Sequence, residues 1–226
     1  MKGRFMTVGF VFALESEFDV FKRHYPGSFH FEDPFYISED GRFKVIISGV
    51  GKTLAALATK QLIDMTHPDV IVNIGVAGGV NTPKGALVLA HKVLFHDVDV
   101  TAFNYVRGQY PGMPPVFKAD KALRQTCLDA AERLGIPLEK SHVITGDQFV
   151  TELDTIHPIL DRVSGIKACE MEAAGIALVA YQENVPFMAL KAISDEVGTA
   201  SQVDDFNAFL DQVMTPFASL VEAVFR

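Results

Sequence analysis

Apolar residues in this 226-residue chain fall into short unbroken runs that alternate with segments of helical period. The runs Thr7–Leu14, Val45–Ser48, Val70–Ile74, Ala86–Phe95 and Pro186–Ile193 have strand length. A strand covered on both faces is apolar at nearly every position, and Val70-Ile71-Val72 fits that description. Between the runs, Thr53–Thr66 carries Leu54, Leu57, Ala58, Leu62 and Met65 at helical spacing and ends before Pro68. Ala122–Leu134 is amphipathic and stops at Gly135 and Pro137, while Ala173–Glu183 and Phe206–Phe225 supply two later helices. Strands alternating with helices predict an α/β fold, a single layered domain over residues 1–226 with a central mixed sheet flanked by helices. The longest irregular stretch, Asn104–Pro115, is rich in Pro, Gly and Tyr. A loop of that length in a compact domain usually serves function or an interface.

Composition then narrows the partners. Hydrophobic residues make up 49% and charged residues 21%, enough apolar material for a core without disulfide or metal staples. A net charge of −8 disfavours nucleic acid and anionic membrane surfaces, since both need a basic face. No apolar run approaches the ~20 residues of a membrane span. Thr7–Leu14 leads into acidic residues with no signal-type cleavage site, so a cytoplasmic protein is expected. Cys127 and Cys169 form no spaced motif and read as reduced core residues. The seven histidines show no metal-ligand spacing, so neither a metal nor another cofactor is expected.

Two glycine stretches resemble nucleotide loops and fail on spacing. Gly49-Val50-Gly51-Lys52-Thr53 has the end of a phosphate-cradling loop, but Ile46 stands where its first glycine is required. Gly75-Val76-Ala77-Gly78-Gly79 follows a strong strand, yet reads GxxGG, with Pro83 where a phosphate-binding helix should begin. Those glycines serve either a close backbone approach to a ligand or a tight turn with none.

The candidate chemistry lies in carboxylates at strand ends, where ligands of open α/β sheets bind. Glu17 follows the first strand, Asp195 follows Pro186–Ile193, and Glu170 and Glu172 flank Met171 before a helix. Each has an ordinary alternative: a solvated first-turn acid, a helix cap, an exposed helix start. Together they suit cleavage of a glycosidic bond, in which one acid protonates the leaving group and one carboxylate activates water. A third would grip sugar hydroxyls.

Over nearly its whole length the chain resembles the 5′-methylthioadenosine/S-adenosylhomocysteine nucleosidases of the purine nucleoside phosphorylase superfamily. The resemblance rests on Ala13–Glu17 (ALESE), Ser48–Lys52 (SGVGK), Asn73–Val80 (NIGVAGGV), His96–Phe103 (HDVDVTAF) and Gly108–Gly112 (GQYPG). It continues through Thr145–Val150 (TGDQFV), Glu170–Ala177 (EMEAAGIA) and Ala192–Asp195 (AISD), in order and with similar spacing. It implies hydrolysis of methylthioadenosine and S-adenosylhomocysteine, and of 5′-deoxyadenosine, to adenine and the 5-substituted ribose, a step of methionine salvage. Glu17 would activate water, and Asp195, supported by Ser194, would act as general acid at adenine N7. Glu172 would bind ribose hydroxyls beside Glu170, and Met171 would pack on the sugar. Phe149 would stack on adenine and the Val150 backbone would read its edge, while Val76, Ala77 and Gly78 line the site. Leu14, Val50 and Phe206 would surround the 5′ group. Phe103 and Pro111 match positions that complete a partner subunit's pocket, which implies a homodimer. Two departures stand out: Val76 replaces a serine that in some members contacts the catalytic water, and Asp195–Phe206 differs in length and composition.

A phosphorylase of the same superfamily is the main alternative. Many phosphorylases carry an arginine where this chain has Asn73, and a neutral amide offers phosphate no guanidinium fork. Futalosine hydrolysis would need a pocket for a bulky carboxylated arm, for which no added basic residue is evident. A nucleoside-binding sensor would be expected to lose at least one acid, yet Glu17, Glu172 and Asp195 are all present.

Overall fold

The computed structural model describes residues 6–225, and for 203–213 the backbone alone. Ten strands form one mixed sheet: β1 (Val8–Phe12), β2 (Phe29–Glu32), β3 (Phe35–Ser38), β4 (Phe43–Ile47), β5 (Val70–Gly79), β6 (Leu87–Phe95), β7 (Phe117–Lys118), β8 (Leu138–Thr145), β9 (Ile166–Glu170) and β10 (Phe187–Glu196). Their order is β10-β6-β8-β9-β5-β1-β4-β3-β2, with β7 beside β6. Because β10 also pairs with β5, the strands β10, β6, β8, β9 and β5 close into a ring. The helices are α1 (Glu15–His24), α2 (Lys52–Thr66), α3 (Lys121–Leu134), α4 (His157–Leu160), α5 (Ala173–Gln182) and α6 (Gln202–Phe225).

The period of two along β1 assigns its residues to opposite faces. Phe10 and Phe12 pack with Phe18 and Phe21 of α1, Phe43 of β4 and Phe217 of α6. Val11 faces the other way, toward Ala58 and Leu62 of α2 and Ile176 of α5. Some of the rings meet edge-on, as for Phe10 and Phe43 at 5.2 Å and 79°. The sheet is thus covered by α1, α3 and α6 on one side and by α2 and α5 on the other. Asp120 caps α3 by accepting from the Leu123 N–H at 2.9 Å, and Gly135 ends it at φ +67°.

The structure extends several sequence expectations. The strand starting at Val70 continues through Gly79, so the GxxGG glycines lie inside β5 and make no tight turn. Their pairing with β10 holds them extended. Asp195 likewise lies within β10 rather than after it, beside a bulge between Ile193 and Asp195. A bulge re-aims a side chain without ending the strand. Helix α1 and strands β2, β3, β8 and β9 are not among the elements read from the sequence. The Leu138–Thr145 strand begins with exposed Glu139 and Lys140, and β2 is mostly exposed.

Helices α2 and α5 meet at Gly175, where an added Cβ would fall 2.7 Å from the Lys52 carbonyl oxygen. Backbone cannot yield as a side-chain tip can, so Gly175→Ala should part the helices. A loss of about 1–3 kcal/mol in urea unfolding is expected. An unchanged unfolding midpoint would show that the two helices are free to separate.

Candidate active site

Parallel strands β1, β5 and β10 bring their carboxyl ends together, and the antiparallel register Gly78↔Cys169 brings the end of β9 to the same place. A cavity of about 310 Å³ opens there. Its walls include Leu14, Glu17, Val50, Val76, Ala77, Gly78, Phe149, Glu170, Met171, Glu172 and Asp195, all expected from sequence. Ala13 and Cys169 also line it and lie outside the expected set.

Glu17 occupies the third position of α1 and turns back toward the strand ends. One carboxylate oxygen accepts from the Ala13 and Leu14 N–H groups at 3.1 and 3.0 Å, and the other from Val76 N–H at 2.9 Å. It is 2% exposed, which excludes the solvated first-turn role. Burial raises its pKa above the usual carboxylate range, against the lowering effects of Lys191 and the three N–H donors. Gly75 makes room for it, since a Cβ there would sit 2.7 Å from the Glu17 Oε1.

Glu170 ends β9 and accepts from the Glu172 and Ala173 N–H groups at 3.1 and 2.9 Å, tying down the start of α5. Its other oxygen accepts from the Thr145 hydroxyl. Lys191 Nζ pairs with it at 2.9 Å, both side chains almost fully buried. Glu170 therefore touches the cavity with oxygens already satisfied by the protein. Glu172 accepts from the Gly51 N–H at 2.9 Å, and burial with help from the Glu170 charge pushes its pKa up to about 7. It is buried, so the exposed helix-start alternative fails for this acid as well.

Lys191, in β10 opposite Gly75, is a residue that sequence reasoning does not single out. A lone lysine inside an apolar run is its only signal. Burial works to lower its pKa, but Glu170, Glu172 and Glu17 raise it further, so the ammonium persists. Asp195, 1% exposed, lies within β10 and accepts from the Ser194 hydroxyl at 2.6 Å. Gly78 lets the carboxylate approach β5, because a Cβ there would lie 3.2 Å from Asp195 Oδ2.

Phe149 stands half-exposed at the cavity rim, and Val150 lines a small adjoining recess with Gln148, Val197 and Gln202. The side chain of Phe206 lies outside the described residues. Phe103 and Pro111 are exposed and lie apart from this cavity. Asn73 turns away from the cavity and donates to the Val11 carbonyl at 3.0 Å. Among the described residues no His/Cys/Asp/Glu group has metal-binding geometry, and no helix is long and apolar enough to cross a membrane.

Comparison with known proteins gives a consistent result. The phosphorylase superfamily model matches residues 7–226. A 5′-methylthioadenosine/S-adenosylhomocysteine nucleosidase of Exiguobacterium is 37% identical over 231 residues, covering 97% of each chain. Its counterpart in Bacillus thuringiensis is 44% identical over 170 residues, 73% of this chain and 72% of its own. The nucleosidase of Neisseria meningitidis, solved in complex with methylthio-immucillin-A, shares the fold at a TM-score of 0.87 and 31% identity, over 96% of this chain and 97% of that one.

Removing the cation should expose how much this acidic centre depends on it. Lys191→Met keeps the apolar stem and leaves Glu170 as an uncompensated buried charge. Stability at neutral pH should fall by about 3–5 kcal/mol, measured by urea unfolding, and the loss should shrink in mild acid as the carboxylates take up protons.

Proposed function

The chain belongs to the phosphorylase superfamily, and within it to the 5′-methylthioadenosine/S-adenosylhomocysteine nucleosidases, and on that premise we propose that it hydrolyses the N-glycosidic bond of 5′-methylthioadenosine and S-adenosylhomocysteine. The products are adenine and the 5-substituted ribose, and 5′-deoxyadenosine fits the same chemistry. One observation carries the choice of hydrolysis over phosphorolysis. The cavity is lined by four carboxylates, Glu17, Glu170, Glu172 and Asp195, and by no lysine or arginine among the described residues. A phosphate dianion would enter against like charge with no guanidinium to receive it, whereas water carries no such penalty. Lys191 lies behind the acids, paired with Glu170.

Each acid has a role suited to its surroundings. Glu17, with its raised proton affinity, takes a proton from the attacking water. Asp195, held by Ser194, gives a proton to purine N7, so that the base leaves as a neutral molecule while positive charge develops on the sugar. Glu172 accepts hydrogen bonds from the ribose hydroxyls, and Glu170 orients it through the start of α5. Met171 packs against the sugar and Phe149 against the base, while Leu14 and Val50 flank the 5′ group. With valine at position 76, the side chain offers water no hydroxyl, and placement falls to Glu17. Adenine release with recovery of a methionine-derived sulfur sugar suits methionine salvage, and the two buried free cysteines suit a reducing cytoplasm.

The exposed loop supports a homodimer. Phe103 is 74% exposed, with Val106, Tyr110 and Pro111 exposed on the same loop and Leu54 and Leu57 exposed on α2. Apolar surface of this kind marks an interface, and Phe103 and Pro111 close the 5′ end of the neighbour's cavity.

Three measurements test this reading. Adenine release from methylthioadenosine should be unaffected by added phosphate and should yield free methylthioribose; a sugar 1-phosphate as main product would overturn hydrolysis. Glu17→Gln and Asp195→Asn should each lower kcat by about 10²–10⁴-fold or more, and near-normal turnover in both would return these acids to structural roles. Sedimentation should give a dimer, with Phe103→Ala raising KM; a fully active monomer would contradict the shared pocket.

A further inference from the structure

Gln202, the first residue of α6, is a buried amide at 3% exposure that follows four exposed residues, 198–201. Its carboxamide is oriented from both ends. The oxygen accepts from the Gly198 N–H at 3.2 Å, closing a turn in which Gly198 holds φ +88°. That contact directs the nitrogen outward, and it donates to the Val150 carbonyl at 2.8 Å. An amide nitrogen can only donate, so the bond stabilises the Val150 carbonyl in its present direction and disfavours a flipped peptide.

Val150 matters because of what surrounds it. The recess it lines with Gln148, Val197 and Gln202 also has Phe149, Met171 and Asp195 on its walls, and these three line the main cavity as well. Among the described residues the Val150 N–H has no hydrogen-bond partner, although the residue is buried. Buried backbone donors are nearly always paired, so one left open beside a cavity points to a ligand. A purine whose N7 meets Asp195 carries its 6-substituent on the adjoining edge, toward this recess. There Val150 offers one acceptor and one donor. A 6-amino group with unprotonated N1 matches that pair, and a 6-oxo group with N1–H opposes it.

We propose that Gln202 is a positioning residue for base selection, which clamps the Val150 carbonyl as an acceptor and thereby makes the site prefer 6-aminopurine over 6-oxopurine nucleosides. The carbonyl has two lone pairs, one held by Gln202 and one left for the base. The inference rests on the nucleosidase reading and deepens it by naming what sets the base preference. It also gives a specific role to the segment between Asp195 and α6, which departs from the family pattern. That segment delivers an amide to the base-reading backbone.

The test uses the full chain with Gln202→Met, which keeps length and packing without the hydrogen bonds, and Gln202→Glu, which sets a carboxylate against the carbonyl. Steady-state kcat and KM are measured for methylthioadenosine and for methylthioinosine, its 6-oxo counterpart, with inhibition by adenine and hypoxanthine as a turnover-independent readout and melting temperature as a fold control. Gln202→Met should raise KM for methylthioadenosine about tenfold with a smaller change in kcat, and should narrow the adenine-to-hypoxanthine preference by a similar factor. Gln202→Glu should narrow it further. An unchanged preference, or equal losses on both bases, would reduce Gln202 to a structural residue and overturn the inference. A lowered KM for methylthioadenosine would also overturn it, by showing that the amide competes with the base. A wild-type protein that cleaves no methylthioadenosine would instead overturn the nucleosidase reading, and this inference with it.

Discussion

One ammonium group holds the acidic centre together. Four carboxylates gathered at the ends of β1, β5, β9 and β10 would repel one another in a medium poorer in water than the surface. Lys191 reaches into that group from β10, pairs with Glu170 and lies near Glu17 and Glu172. Burial raises the proton affinity of Glu17 and Glu172, the Glu170 charge raises that of Glu172 further, and Lys191 opposes both rises without cancelling them. That surplus is useful. A carboxylate that takes a proton from water, the role proposed for Glu17, needs an affinity above that of an exposed acid, and burial supplies it.

The closure of the sheet explains why this arrangement is attainable. The pairing of β10 with both β5 and β6 fixes Lys191 opposite Gly75, and Glu17 enters from α1 into the space that Gly75 leaves. A side chain at position 75 would meet the Glu17 carboxylate and crowd the Lys191 ammonium. Gly78 does for Asp195 what Gly75 does for Glu17. The two glycines lie on the same strand, and each admits one acid. Such rigid support suits the proposed reaction, in which the two acids act on opposite sides of a bond.

What the sequence discloses follows from which interactions are local. The apolar runs reveal β1, β5, β6 and β10 because those strands are buried on both faces and need no partner to be recognised. Strand β8 stays hidden because its first half is exposed and polar, and it is a strand only by virtue of its neighbours β6 and β9. Glu17, Glu172 and Asp195 are legible through short motifs whose order matches a known family. Lys191 and Gln202 are not, since the importance of each comes from a partner far along the chain: Glu170 on another strand in one case, Val150 across a gap of 52 in the other. The tight-turn alternative for GxxGG fails for a related reason. Glycine permits turns, and only the pairing with β10 shows that here it serves extension and close approach.

Val76 bears on the choice of water over phosphate in the proposed hydrolysis. Its side chain lines the cavity, while its N–H is already committed to Glu17 at 2.9 Å. The residue thus contributes nothing polar to a bound anion and adds apolar surface to the cavity wall. Phosphate would need several donors converging on one point, and the Ala13, Leu14 and Val76 amides beside Glu17 are turned onto its carboxylate. Water needs only one acceptor aimed at it and a space small enough to hold it there. The same three N–H groups that anchor Glu17 are therefore withdrawn from any phosphate cradle, so that anchoring the proposed base and disfavouring the competing nucleophile are a single structural act.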